Sequence, residues 1–322
     1  MRSILIYALC IISITGLLLT GYFFIVPRKS DNEKYLSPLP DFLTRGINKQ
    51  VTLLDLWSPF VEQIQGNEKA IPDFTAASIL MYDLTTNKAL FEHNSKAQLP
   101  MASLTKIMTA IISLESKRSD DMYNVSSSAL VGEDSMGLSV GETLTQEELL
   151  YGLMLPSGND AAEVLADNYP NGGRIAFVQA MNDKAKALGL TDTVFSNPSG
   201  LQGDGTQHTT AADLVVITRY ALDTFPIFDQ VVSTYEHDIP ETSTHKAYQL
   251  FNETNLLTTY PGVKGVKTGY TPEAGYCLVT LLDYQGHRII GVILQSEDRR
   301  EEMRNFLDYS LKQLSITPPA HQ

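Results

Sequence analysis

Histidine and cysteine are scarce in this chain, with six of the first and two of the second in 322 residues. The histidines are scattered, and no CxxC, HExxH or His/Cys cluster occurs, so no metal site and no cofactor are expected. Cys10 lies in an N-terminal apolar run and Cys277 in a late apolar segment. If the first is in lipid the two cannot pair, and disulfides say nothing about the compartment. Positive charge is also short: 24 basic residues stand against 37 acidic ones, a net charge of −13. No basic patch interleaved with aromatics exists, which excludes a nucleic-acid partner. The acidity itself needs no more than a soluble, self-repelling surface. There is no internal repeat. Hydrophobic residues make up 43%, enough to bury a core of one large domain or two small ones.

The one long uncharged run is at the start, Ile4 to Val26, with Arg2 before it and Arg28 and Lys29 after it. A spanning helix needs about 20 apolar residues. A signal-peptide core has about 7–15 and ends in an Ala-x-Ala-like site, which is missing here. Residues 1–28 therefore read as an uncleaved, single-pass membrane anchor, with cleavage as the alternative. Leu9 before Cys10 argues against lipid attachment there. The flanking charges do not orient the span. Residues 29–71 read as a linker. Pro38 and Pro40 favour an extended start, after which Leu53, Leu56, Trp57, Phe60, Val61 and Ile64 recur at helical spacing. Ser58 can cap a short helix with Pro59 at its first position. That stripe fits packing on the main domain or on a membrane surface.

Residues 72–316 read as one domain. Ala76–Asp83 is a strand that returns through Thr85–Lys88 into Ala89–Glu92. Helices are expected from about Ser103, from Thr145 (a capping box with Glu148), over Asn159–Asn168, over Arg174–Leu188 with Gly189 as its stop, and over Ala211–Leu222. Strands return at Val263–Thr268, Tyr276–Asp283 and Arg288–Gln295, followed by a helix over Arg299–Leu314. Strands at both ends with helices between predict an α+β fold, an antiparallel sheet built from both chain ends around an inserted helical lobe.

Three short motifs carry the chemistry. Ser103-Leu104-Thr105-Lys106 opens a strongly apolar helix, where residues i and i+3 share a face and set the amine beside the hydroxyl. In apolar surroundings that lysine can lose its proton and act as a base. The pattern alone is weak, turning up by chance about once in a chain of this length. Ser243-Thr244-His245-Lys246 matches it too, in a hairpin-like stretch. Ser157-Gly158-Asn159 sits between two helices and can present a hydroxyl and an amide to a cleft, although a capping serine reads the same way. Lys267-Thr268-Gly269 follows a candidate strand. There a glycine clears space beside the strand and a lysine supplies fixed positive charge, although an edge-strand lysine that resists aggregation fits as well.

With Pro100–Thr109, Ser157–Ala161 and Gly265–Thr271 around them, these motifs resemble the low-molecular-weight penicillin-binding proteins that are D-alanyl-D-alanine carboxypeptidases. Asn197-Pro198-Ser199-Gly200-Leu201 resembles a further element of that family. The resemblance implies a β-lactamase/transpeptidase-like fold. It also implies a serine hydrolase that removes the last D-alanine of peptidoglycan stem peptides through an acyl-enzyme on Ser103, with β-lactams acting as covalent inhibitors. Lys106 would take the serine proton, Ser157 would relay a proton to the leaving amine, and Lys267 would tune it. Asn159, Lys267, Thr268, Gly269, Tyr270 and Thr271 would bind substrate, with the Ser103 and Tyr270 N–H groups as oxyanion hole. Either Arg299 or Arg300 would meet the substrate carboxylate.

A substrate outside the cytoplasmic membrane places the domain there too. Tyr270 stands where histidine is frequent among relatives, which leaves any side-chain role at that position open. The alternatives are a β-lactamase, against which Gly158 and the lack of a clear deacylating glutamate in 160–200 argue, and a cell-wall endopeptidase or transpeptidase. A non-catalytic penicillin-binding sensor is opposed by the intact motifs.

Overall fold

The computed structural model describes residues 59, 71–170, 172–201 and 207–321. The anchor expected over 1–28 and nearly all of the linker expected over 29–71 lie outside them. Among the described residues no helix is long and apolar enough to cross a membrane.

Five strands form the main sheet: β1 (Ser78–Asp83), β2 (Lys88–His93), β7 (Val263–Thr271), β8 (Gly275–Tyr284) and β9 (His287–Ser296). Their order is β2-β1-β9-β8-β7 and every pair is antiparallel. The β1–β9 pairing, from Ser78 opposite Leu294 to Asp83 opposite Ile289, joins the two ends of the domain. β1 is buried at all six positions because both sheet faces are covered. Successive side chains point to opposite faces. Leu80 and Tyr82 enter the core shared with the helical lobe, while Ile79 and Met81 enter a second core under the C-terminal helix. A strand covered on both faces reads as a continuous apolar run, as Ile-Leu-Met does here.

Between the sheet halves run α1 (Thr105–Glu115), α2 (Gln146–Met154), α3 (Asn159–Asp167), α4 (Gly173–Ala187), α5 (Ala211–Thr224) and α6 (Pro226–Val232). α1 is buried from Thr105 to Ser113, as expected of a helix apolar on every side. The Thr145/Glu148 capping box opens α2, and α4 stops before Gly189, whose φ of 77° suits glycine. Small hairpins pair β3 (Tyr123–Asn124) with β4 (Thr143–Leu144), and β5 (Glu236–Ile239) with β6 (Tyr248–Phe251). A short α7 (Leu256–Thr259) follows, and α8 (Arg299–Gln313) closes the domain.

Two elements differ from the sequence expectation where it matters. The helix expected from Ser103 starts instead at Thr105. Ser103 lies in a preceding 3₁₀ turn, Ala102–Leu104, which the Thr105 Oγ1 to Ala102 O bond of 2.8 Å closes. β7 also continues three residues past Thr268, so the whole Lys267–Thr271 string is strand. It lies at the edge of the sheet.

Candidate active site

The turn before α1 brings Ser103 against β7. Ala102 takes a φ of 48°, a left-handed conformation that sits in strained space for a residue with a Cβ. Two glycines make room for this turn. A Cβ on Gly200, whose φ is 90°, would lie 2.1 Å from Ala102 O. A Cβ on Gly269 would lie 3.1 Å from Ser103 N and 3.2 Å from Met101 O. Gly269 therefore clears space for the serine turn itself, a reason the sequence alone did not show.

Lys106 is fully buried and its Nζ has three partners: Ser103 Oγ at 2.9 Å, Asn159 Oδ1 at 2.7 Å and Ser199 O at 2.6 Å. Burial strips the ammonium of water and, with the positive Lys267 nearby, pushes its pKa well below the ordinary lysine value. A neutral amine has two N–H donors and one lone pair. The Asn159 and Ser199 oxygens accept only, so they take both donors and leave the lone pair facing the Ser103 hydroxyl. This is the geometry of a general base on a nucleophile.

The Ser199 carbonyl is held from several sides. Asn197 Oδ1 accepts the Gly200 N–H at 2.7 Å, Asn197 Nδ2 donates to Leu201 O at 2.6 Å, and Thr109 Oγ1 donates to Pro198 O at 2.6 Å. Glu163, buried behind it, pairs with Arg174 at 2.6 Å. It falls in the window where a β-lactamase would keep its deacylating glutamate.

Ser157 follows Pro156 with a φ of 62° and is 2% exposed. Gly158 N–H donates to Gly152 O at 2.9 Å, and Asn159 N–H to Asp134 O at 2.7 Å, so the loop is pinned at both neighbours. Asp160, which follows, accepts from Ser135 Oγ at 2.5 Å and from the N–H groups of Met136, Gly137 and Leu138 at 3.0, 3.1 and 3.0 Å. It clamps the loop beside Ser157.

On the opposite side Lys267 is 1% exposed, and among the described residues no carboxylate lies within ion-pair distance of its amine. Burial lowers its pKa to about 8. Thr268 Oγ1 donates to Glu253 Oε2 at 3.2 Å. Thr271 Oγ1 accepts the Ala274 N–H at 3.1 Å and serves the β7–β8 turn. Tyr270 is 53% exposed and its ring lies 4.7 Å from that of Tyr276. Arg299 reaches β7, donating to Gly269 O at 2.6 Å, and its guanidinium lies 5.3 Å from the Tyr276 ring. Arg300 is exposed and makes no such contact. The geometry thus separates two arginines that the sequence left equal.

The structure brings together Ser103, Lys106 and Asn159 directly, and sets Thr268 and Gly269 on the facing strand, with Arg299 reaching that strand from α8. Sequence reasoning missed Asp160, Glu163, Arg174 and Glu253. Glu163 lies four residues after Asn159, on the same face of α3, a signal that could have found it. Glu253 carried none.

The fold and this site define a serine acyl-transfer enzyme of the penicillin-binding type. Over 75% of its length the chain superposes on 99% of the Streptomyces K15 DD-transpeptidase, with 30% identity and a TM-score of 0.69. Residues 65–298 match the family model of the D-alanyl-D-alanine carboxypeptidases, Peptidase S11, and the chain belongs to that family. It is 35% identical over 252 residues to the D-alanyl-D-alanine carboxypeptidase DacF of Bacillus subtilis, which covers 76% of this chain and 64% of that protein. It is 36% identical over 214 residues to a D-alanyl-D-alanine endopeptidase of Pseudomonas aeruginosa, covering 64% of this chain and 67% of that protein.

Proposed function

We propose that this chain removes the terminal D-alanine from peptidoglycan stem peptides as a serine D-alanyl-D-alanine carboxypeptidase. The observation that carries the reading is the three-partner geometry of Lys106, which sets an amine whose pKa burial lowers 2.9 Å from Ser103 Oγ. Ser103 Oγ attacks the carbonyl carbon between the last two D-alanines while Lys106 takes its proton. The Ser103 and Tyr270 N–H groups receive the developing oxyanion, in keeping with the close approach of Gly269 to Ser103 N. As the C–N bond breaks, a proton passes through Ser157 to the leaving amine, and D-alanine departs. Water then hydrolyses the ester, and Ser103 regains its proton. The substrate carboxylate would lie against Lys267, Thr268 and Arg299, and the peptide backbone beside the open edge of β7. Asn159 would hold the amide. β-Lactams would acylate the same serine.

The test is D-alanine release by purified 72–322 from a peptide ending in D-Ala-D-Ala, run beside penicillin turnover. Release with a long-lived penicillin adduct supports the reading. Rapid steady-state penicillin hydrolysis without D-alanine release refutes it in favour of a β-lactamase. Cleavage confined to cross-linked peptides would move the assignment to an endopeptidase, and preferential transfer to an added amine would move it to a transpeptidase.

The same reading places the domain outside the cytoplasmic membrane, tethered by Ile4–Val26. Its supports are the length of that uncharged run and the location of the substrate. Protection of the domain from protease added to intact spheroplasts would refute this placement.

A further inference from the structure

Glu253 is an acidic residue that the fold holds beside the positive groups Lys267 and Arg299. Its own N–H donates to Leu155 O at 3.2 Å, two residues before Ser157. Its neighbours Asn252 and Thr254 are buried. Asn252 Nδ2 donates to Val232 O at 3.2 Å and Thr234 O at 3.0 Å, and the Thr254 N–H donates to Asn252 Oδ1 at 2.9 Å. The backbone is therefore fixed, while residue 253 itself is exposed. That side chain reaches β7 and accepts the Thr268 hydroxyl at 3.2 Å. Its charge acts on Lys106, Lys267 and Arg299 alike.

Thr268 has a single O–H to donate, and a carboxylate can only accept. Two carboxylates near the same hydroxyl and the same two positive groups, Lys267 and Arg299, repel each other. Resting on the carboxypeptidase reading, we infer that Glu253 is an internal competitor for the substrate's terminal carboxylate: it occupies the Thr268 hydroxyl in the empty site and must give it up when substrate binds. Glu253 is then a specificity-determining residue, one that raises the concentration at which an anionic peptide end fills the cleft. Thr268 is buried while Glu253 is exposed, so the contact is part-buried and partly screened, and its weight is roughly two- to fivefold in affinity.

Glu253→Gln keeps the shape and removes the charge. In the full chain it is expected to lower KM for D-alanine release roughly two- to fivefold while kcat stays within about twofold. Acylation by a penicillin with a free carboxylate should speed up by a similar factor, and acylation by the same penicillin as its methyl ester should not. A merely structural role for Glu253 would not separate acid from ester. A KM that is unchanged or raised, or equal gains for acid and ester, overturns the inference while leaving the carboxypeptidase reading intact. A wild-type chain that neither takes up penicillin nor releases D-alanine overturns both.

Discussion

Two copies of Ser-x-x-Lys stand in this molecule in opposite surroundings. Ser103 and Lys106 lie where α1 meets β7, with the lysine fully buried and bonded to Ser103, Asn159 and Ser199. Ser243 and Lys246 lie in the connection between β5 and β6, and both are exposed. There the lysine turns away from its serine and donates to Ser139 Oγ at 2.8 Å. Spacing fixes neither the pairing nor the chemistry. A lysine becomes a base when burial removes the water that favours its charged form, and when acceptors use up its other donors. Only the first copy has both.

The sharpest way to break this contrast is to remove each serine. Ser103→Ala should abolish D-alanine release and covalent penicillin labelling, a loss of about 10⁴-fold or more in kcat, since the nucleophile has no substitute. Ser243→Ala should leave both within about twofold. Mass mapping of the penicillin adduct decides the matter: an adduct on the peptide bearing Ser243, or labelling that persists in Ser103→Ala, ends the assignment.

A second test uses pH. Burial lowers the pKa of both Lys106 and Lys267, the first well below the ordinary lysine value and the second to about 8. Lys106 must be neutral to accept a proton, so kcat/KM should fall as acid protonates it. Lys267 must be charged to meet a carboxylate, so kcat/KM should fall above about pH 8, roughly tenfold per unit beyond that limb. Lys267→Arg keeps its charge at high pH and should move the alkaline limb upward. A limb that stays put belongs to another group. Stability has the opposite sign there. A folded-state value below the unfolded one makes the unfolded chain hold more protons between about pH 8 and the ordinary lysine range, so stability rises with pH across that window.

Much of this was readable in the sequence. The strands of the sheet, the Thr145 capping box, the Gly189 stop and the apolar helix that follows Ser103 announce themselves through periodicity and capping chemistry, which are local. The parts that escaped are those whose meaning is spatial. Gly200 matters because Ala102 O passes 2.1 Å from where its Cβ would be, and nothing near residue 200 in the chain says so. The Ser199 carbonyl is a backbone group and leaves no trace in residue type. Arg299 and Arg300 are adjacent and chemically alike, and only the turn of α8 sends one of them to Gly269 O. Glu253 reaches Thr268 through the path of the chain after β6 and not through any pattern. Tyr270 was expected to offer its N–H, and the structure adds that its ring packs beside Tyr276 at the cleft edge.

The smallest expected effect sharpens the comparison from the other side. Lys246→Met removes an exposed ammonium that donates to Ser139 Oγ and lies 5.5 Å from the Tyr248 ring centroid. Contacts of this kind contribute less than about 1 kcal/mol, so thermal unfolding should shift only slightly and kcat/KM should stay within about twofold. A larger effect has one structural route available. Ser139 belongs to the loop whose Asp134 carbonyl accepts the Asn159 N–H at 2.7 Å, so a loosened loop would reach the amide that holds Lys106. Asp160 blocks that route. It grips Ser135, Met136, Gly137 and Leu138 with four hydrogen bonds from inside the domain, and these remain when Lys246 is gone. If kcat/KM nevertheless falls more than about threefold in Lys246→Met with thermal unfolding unchanged, the Asp160 clamp is not the anchor of the loop, and the second Ser-x-x-Lys is coupled to the first rather than idle.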